Sequence, residues 1–233
     1  MSKVGASNVG ASKAGASKAG ASKVELRSYT YIDVFQPQVA SFLATVAAGY
    51  LPIEGQAGLV VEIAPGMDVN RLMDVALKRT QVVPGMMIVE RVFGFMELHA
   101  HDQGEVRAAG QAVLEHLGLS EAERLRPKIK TTQIITGAEP YHTMLINRMR
   151  HGQFLLKDQS LYILEVHPAG YAIFAANEAE KAAPVEVLEV LAFGAYGRVF
   201  LGGAEAPIQE AARAVEAALA SVEGRPNEAA LSD

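Results

Sequence analysis

The sequence predicts an α+β protein built from two successive copies of one domain. Two observations carry this: a fixed register between distant halves of the chain, and one order of strands and helices in both. Ile32, Pro37, Gly49, Gln56, Glu62, Pro65, Ala76 and Lys78 match Ile135, Pro140, Gly152, Gln159, Glu165, Pro168, Ala179 and Lys181, each pair 103 residues apart. Hydrophobic classes also align, Val60-Val61 with Ile163-Leu164 and Ile63 with Val166. A constant register over such a span means duplication, and the period is too long for a solenoid.

In the first copy, Leu26–Val34 alternates apolar and polar residues and predicts a strand. Pro37 opens a short helix running through Phe42 and Val46. Gly49-Tyr50-Leu51-Pro52 reads as a turn, and Leu59–Ala64 as an apolar strand. Asp68 is placed to cap the next helix, where Val69, Leu72, Met73, Ala76 and Leu77 share one face. Val82–Val89 predicts a strand interrupted by Pro84-Gly85, paired with Phe95–Ala100. Gln103–Leu117 predicts a helix burying Val106, Ala109, Val113 and Leu117. The second copy repeats the order, with helices near Tyr171–Ala183 and Pro207–Val222. The order β-α-β-α-β-β-α implies an antiparallel or mixed sheet with helices packed on it. Met67, Met73, Met86, Met87 and Met96 read as core filling.

The copies occupy residues 25–124 and 130–223, with 125–129 as a charged linker and 224–233 as a disordered C-terminal tail. Residues 1–24 differ from the rest: Ser-Lys/Asn-Val/Ala-Gly-Ala recurs every five residues, with four lysines and no acidic side chain. Ala, Gly and Ser cannot bury enough surface to offset chain entropy, so this is expected to be a disordered basic tail. It reads as a solvated extension, with a tether to an acidic partner as the alternative. Four of the 21 basic residues lie there, leaving 17 against 26 acidic residues, a body charge of −9. That balance argues against a nucleic-acid-binding role. With no cysteine in 233 residues, disulfides, thiolate zinc sites and thiol catalysis are excluded. No apolar run is long enough to span a membrane and no secretory signal is visible, so a soluble intracellular protein is expected.

Leu161–Gly170, Ala175–Ala183 and Phe193-Gly-Ala-Tyr-Gly-Arg-Val199 together resemble the bacterial microcompartment shell domain. That family's usual C-terminal strand and short helix are similar to Thr132–His142, which here comes first. The first copy has the same permuted order from Tyr29 to Pro37. The chain therefore resembles the tandem shell proteins with circularly permuted domains, each a ferredoxin-like sandwich. Ile88-Val-Glu-Arg-Val-Phe-Gly94 and Glu62-Ile-Ala-Pro-Gly66 look most like the gated, double-stacking subfamily.

The resemblance implies a homotrimeric, pseudohexameric tile, two of which can stack face to face, assembling with hexameric and pentameric shell proteins of one compartment. It implies a structural protein in a cytoplasmic microcompartment shell, with no enzymatic activity, cofactor, metal or catalytic residue. Small metabolites would pass a gated central pore lined by Glu90, Arg91, Val92 and Phe93 and by Phe193, Gly194, Ala195, Tyr196 and Gly197. Threefold symmetry would multiply that chemistry, alternating three arginines with three glutamates around one hole. Arg91 is expected to swing into the axis when closed and away when open. Lys78 and Lys181, at matching helix ends, would lie at the tile edge. The family's edge arginine is absent, since Gln36-Pro37-Gln38 and Glu139-Pro140-Tyr141 stand there.

Two other function classes compete. A trimeric small-ligand-binding regulatory protein could share the duplicated α+β design. A metal enzyme could use His99 and His101, which alternate along a strand, but no third ligand stands at a known spacing. Glu165-Val-His167 is a weaker pair of the same kind. Asn177, Glu178, Glu180 and Lys181 read as a solvated helix face. No nucleophile elbow, phosphate loop or dinucleotide fingerprint is present.

Overall fold

The computed structural model describes residues 24–228. The expected tail over residues 1–23 and the last five residues lie outside them. The first copy contains β1 (Glu25–Ile32), α1 (Pro37–Val46), β2 (Ala57–Ala64), α2 (Val69–Arg79), β3 (Val83–Glu90), β4 (Phe93–Ala100) and α3 (Gln103–Leu117). The second contains β5 (Lys128–Ile135), α4 (Pro140–Met149), β6 (Ser160–His167), α5 (Tyr171–Ala182), β7 (Glu186–Leu191), β8 (Gly197–Gly203) and α6 (Glu205–Ala220). Each copy is a four-stranded sheet, ordered β1-β2-β4-β3 and β5-β6-β8-β7. Every pairing is antiparallel, so the mixed alternative falls away.

The duplication extends to irregularities in the ladders. The register shifts between Leu26 and Ser28 and, at the matching place, between Ile129 and Thr131. It shifts again between Pro84 and Met86 and between Val187 and Glu189. Pro84-Gly85 therefore makes a bulge inside β3 instead of interrupting it, because one extra residue absorbs the missing donor.

Several local expectations are corrected. Asp68 makes no cap bond, since a 3-10 turn over Gly66–Asp68 already holds it in helical conformation (φ −66°, ψ −16°). A capping side chain needs extended backbone, as at Asp102, which accepts from the Gly104 amide at 2.7 Å and caps α3. Met73, Met86 and Met96 are buried, whereas Met67, Met87 and Leu77 are exposed. The 125–129 stretch is not a free linker. Leu125 is buried between the copies, where its carbonyl accepts from the Tyr171 hydroxyl at 2.6 Å, and β5 already begins at Lys128. Residues 224–228 are also held: Arg225 Nε donates to the Glu123 carbonyl at 2.8 Å, and Asn227 Nδ2 to that of Arg126 at 2.8 Å.

One core lies between the first sheet and α2 and α3, built from Leu59, Val61, Ile63, Leu72, Met96, Leu98, Val106 and Val113. The larger core crosses the copies, joining Phe35, Val39, Phe42, Leu43 and Phe95 to Tyr162, Tyr171, Ile173, Val187 and Val190. Helix α1 thus packs on α5 and β7. The amides of Gln38 and Val39, in its first turn, donate to the two oxygens of Glu180 at 2.8 and 2.9 Å. Asn177, wholly buried, accepts from the Gln36 amide at 2.9 Å and donates to the Val34 carbonyl at 3.1 Å. The α5 face expected to be solvated is therefore the seam between copies, where polar side chains satisfy helix-end groups.

The equivalent helix of the second copy has no such seat. Phe42 of α1 is 2% exposed, while its counterpart Leu145 of α4 is 53% exposed. Tyr141, Met144 and Met149 are exposed on the same helix. The receiving surface shows the converse difference: Val190 of β7 is 6% exposed, and its counterpart Met87 of β3 is 46% exposed.

Candidate functional site

Two loops at corresponding places carry the residues singled out for a pore. The first is the two-residue turn Arg91-Val92 between β3 and β4, closed by the Glu90–Phe93 pair. The second runs from Ala192 to Tyr196 between β7 and β8, beyond the Leu191–Arg198 pair. Phe93 and Gly197, expected within loops, are the first residues of β4 and β8. Gly94 and Gly197 pass so near the carbonyls of Gly66 and Ala169 that a Cβ would overlap them. This close approach fixes where each loop leaves its sheet.

Arg91 and Gly194 occupy the same place in the repeat and both have positive φ, 54° and 100°. Glycine adopts that conformation freely, whereas arginine pays a steric cost of about 1–2 kcal/mol. The Arg91 side chain is 89% exposed, and its Nε lies 3.8 Å from Glu90 Oε1. At that distance there is no hydrogen bond, only a solvated ion pair contributing about 0–1 kcal/mol. Val92 and Ala195 are exposed, while Phe193 is half-buried with its ring centroid 6.5 Å from that of Phe95.

Beneath the loops lies a polar cluster that sequence reasoning did not find. Arg27 of β1 donates through Nε to Glu62 Oε1 at 2.6 Å, and the other Glu62 oxygen accepts from the Gly170 amide at 2.7 Å, beside the start of α5. Burial pushes the Glu62 carboxyl above its usual range, and Arg27 draws it back. The guanidinium also lies 3.7 Å from the Phe93 ring centroid and reaches His167 Nε2 through Nη2 at 2.8 Å. Burial, reinforced by Arg27, lowers the His167 pKa to about 4. Glu62, Phe93 and Glu165-Val-His167 each stand out in the sequence, but nothing there points to Arg27, 140 residues from His167.

The two lysines expected at a tile edge differ. Lys78 is exposed and pairs with Asp74 of its own helix at 2.7 Å. Lys181 bridges Asp33 of the first copy at 2.6 Å and Glu178 at 2.9 Å. Although burial opposes it, these carboxylates hold Lys181 above its ordinary pKa. His99 is buried, its Nδ1 3.0 Å from Glu97 Oε1. His101 lies past the end of β4 and is exposed, so the pair does not share a strand face. Among the described residues no group of three or more histidine, aspartate or glutamate side chains could hold a metal ion.

Residues 26–123 match the family described as the CsoS1D N-terminal domain. The carboxysome shell protein CcmP of Synechococcus elongatus is 54% identical over 202 residues, covering 87% of this chain and 95% of that protein. The chain belongs to the carboxysome shell protein family. CsoS1D of Hydrogenovibrio crunogenus, also a carboxysome shell protein, is 49% identical over 197 residues, 84% of this shell protein and 96% of that one. Two solved structures share its whole architecture. The fused permuted hexameric shell protein MSM0275 of the RMM microcompartment superposes with a TM-score of 0.84 at 45% identity, covering 86% of this shell protein and 99% of that chain. The double ringed trimeric shell protein MSM0271 gives 0.85 at 37% identity, with 88% and 100% covered. The fold is therefore a tandem pair of permuted microcompartment domains, and the role of this shell protein is structural.

Proposed function

We propose that three chains close into a pseudohexameric ring whose central hole is rimmed by both loops, Glu90–Phe93 and Phe193–Gly197, and that these gate small metabolites. The observation that carries this is the contrast between α1 and α4. Each chain makes one copy-to-copy junction internally, and exposes both halves of an equivalent one: α4 on one side, β3 with Met87 on the other. A surface of this kind mates head to tail, and a head-to-tail contact repeated at constant rotation closes a ring. Six copies from three chains complete it. Native mass is the test: about 74 kDa, three chains of 24.8 kDa, or about twice that for two stacked rings, is expected. A monomer at working concentration would overturn it.

Leu51 and Ile53, and at the matching place Phe154 and Leu156, are more than half exposed in both copies. The internal junction leaves Leu51 and Ile53 bare, so these residues belong to a different contact, here assigned to the face of a second stacked ring. Ile53→Asp with Leu156→Asp should leave trimers and abolish particles of twice their mass.

The tile takes its place in a cytoplasmic microcompartment shell beside hexameric and pentameric partners. Lys78 is the lysine available for a neighbouring tile, since Lys181 is already engaged. No catalytic role is assigned to any residue. The weak Glu90–Arg91 pair suits a gate because small binding energies can shift its state. Release of a trapped solute from shells carrying Glu90→Ala or Arg91→Ala should change, and unchanged rates would refute the gate.

A further inference from the structure

Arg27 and His167 join the two loops through one continuous set of contacts. A guanidinium can only donate, so His167 Nε2 accepts from Arg27 and the ring proton sits on Nδ1. Nδ1 lies 3.1 Å from Asn227 Oδ1. Asn227 is turned to receive it, because its Nδ2 donates to the carbonyls of Arg126 at 2.8 Å and His167 at 3.0 Å. On its other side the His167 ring meets Tyr196 edge-on, at 6.2 Å between centroids and 70° between planes. The series Phe93, Arg27, His167, Tyr196 thus runs from the foot of one loop to the foot of the other.

We propose that Arg27 and His167 are positioning residues that couple the two gate loops of one chain, so that the loops change state as a pair. This rests on the gate reading above. Glu62 anchors one edge of the guanidinium, leaving its face on Phe93 and its Nη2 on His167 as the parts that respond to the loops. If Phe93 leaves, the guanidinium loses its aromatic cover and its alignment with Nε2, and the ring against Tyr196 is freed.

The second copy lacks the link. Lys130, the counterpart of Arg27, stands 5.9 Å from the centroid of Tyr196. The counterpart of His167 is Ala64, which offers no side-chain acceptor to a neighbouring chain's Lys130. The loops therefore move as three pairs, without this route between chains.

The chain contains no tryptophan, so Tyr196→Trp installs a single tryptophan, excited apart from the remaining tyrosines at the red edge, in the full-length protein. In that background Phe93→Leu should shift the populations sensed by acrylamide quenching roughly tenfold, a typical coupling. Adding His167→Phe should abolish the response, and His167→Gln, which keeps an acceptor, should restore it. An undiminished response with His167→Phe, or none with His167 intact, would overturn the coupling. Should His167→Phe fail to fold, nitrogen-15 shifts of His167 in the unaltered protein decide: a proton on Nε2 refutes the Arg27 link and one on Nδ1 upholds it. Mixed trimers with Phe93→Leu and Tyr196→Trp on different chains should show no response. Failure of the gate itself reads out separately, as unchanged solute release with Glu90→Ala while quenching still responds.

Discussion

Helices α1 and α4 stand at the same place in the repeat, share a proline start and run for ten residues each, yet one is buried and the other bare. Helix α1 has Phe42 in the core shared by the copies and its first turn held by Glu180. Helix α4 presents Leu145 and Met149 to the surface and caps itself, Glu139 accepting from the Tyr141 amide at 2.7 Å. The difference teaches that duplication inside one chain satisfies a single junction. In the ring proposed above, the matching surfaces left over would serve a second copy, since exposed apolar patches of this kind mark interfaces.

The sharpest way to break the comparison is at the two central carboxylates. Glu62→Ala takes from buried Arg27 its hydrogen-bonded carboxylate, leaving only Glu25 at 3.8 Å, and should cost about 3 kcal/mol of folding stability. Its counterpart Glu165 sits nearer solvent with Arg198 at 2.7 Å, a hydrogen bond that holds its carboxyl below the usual range. Glu165→Ala should cost at most about 1 kcal/mol. Urea unfolding of both variants at neutral pH gives the ratio.

The helices come next. Phe42→Ala should lower stability by about 3–5 kcal/mol, measured in the same way. Leu145→Glu should hardly affect the fold of a single chain and should convert trimers to monomers in native mass measurements. Equal loss of stability from both would mean that α4 is seated within its own chain.

A smaller effect separates His167 from its counterpart Ala64. The folded chain takes up a proton on His167 only near pH 4, while an unfolded chain does so near 6.5. Acid therefore favours the unfolded state: this contribution is absent above about pH 6.5 and grows as pH falls toward 4. Stability should drop by about 1.4 kcal/mol per pH unit in that window. His167→Gln should flatten that part of the curve. The smallest expected change is at the loop tips. Arg91→Gly should stabilise the chain by about 1 kcal/mol, and Gly194→Ala, with open space around its Cβ but positive φ, should cost a similar amount. Thermal midpoints read both.

Much of the fold was legible because a repeat declares itself in register. The proline-started helices, the apolar strand read over Leu59–Ala64 with its repeat in the second copy, and the paired hairpins all follow from period and punctuation. The loop residues were singled out through their likeness to the shell family, and nothing in Glu90-Arg91 itself distinguishes it from an ordinary surface pair. Asn177 and Glu180 were misread, because polar residues on a helix look alike whether they face water or the amides of another helix. Arg27 escaped notice, and His167 was weighed only beside Glu165, for a related reason: no local pattern links the two, and their meeting depends on contacts 140 residues apart.

The sequence by itself determined the duplication and the order of strands and helices in each copy, since these rest on spacing and side-chain class along the chain, while the permutation and the domain type came through likeness to the shell family. Only the tertiary structure decided which of two equivalent helices is buried, which lysine is engaged and which carboxylate holds a buried arginine. Those outcomes depend on contacts between residues more than a hundred positions apart, where near-identical local patterns meet different neighbours.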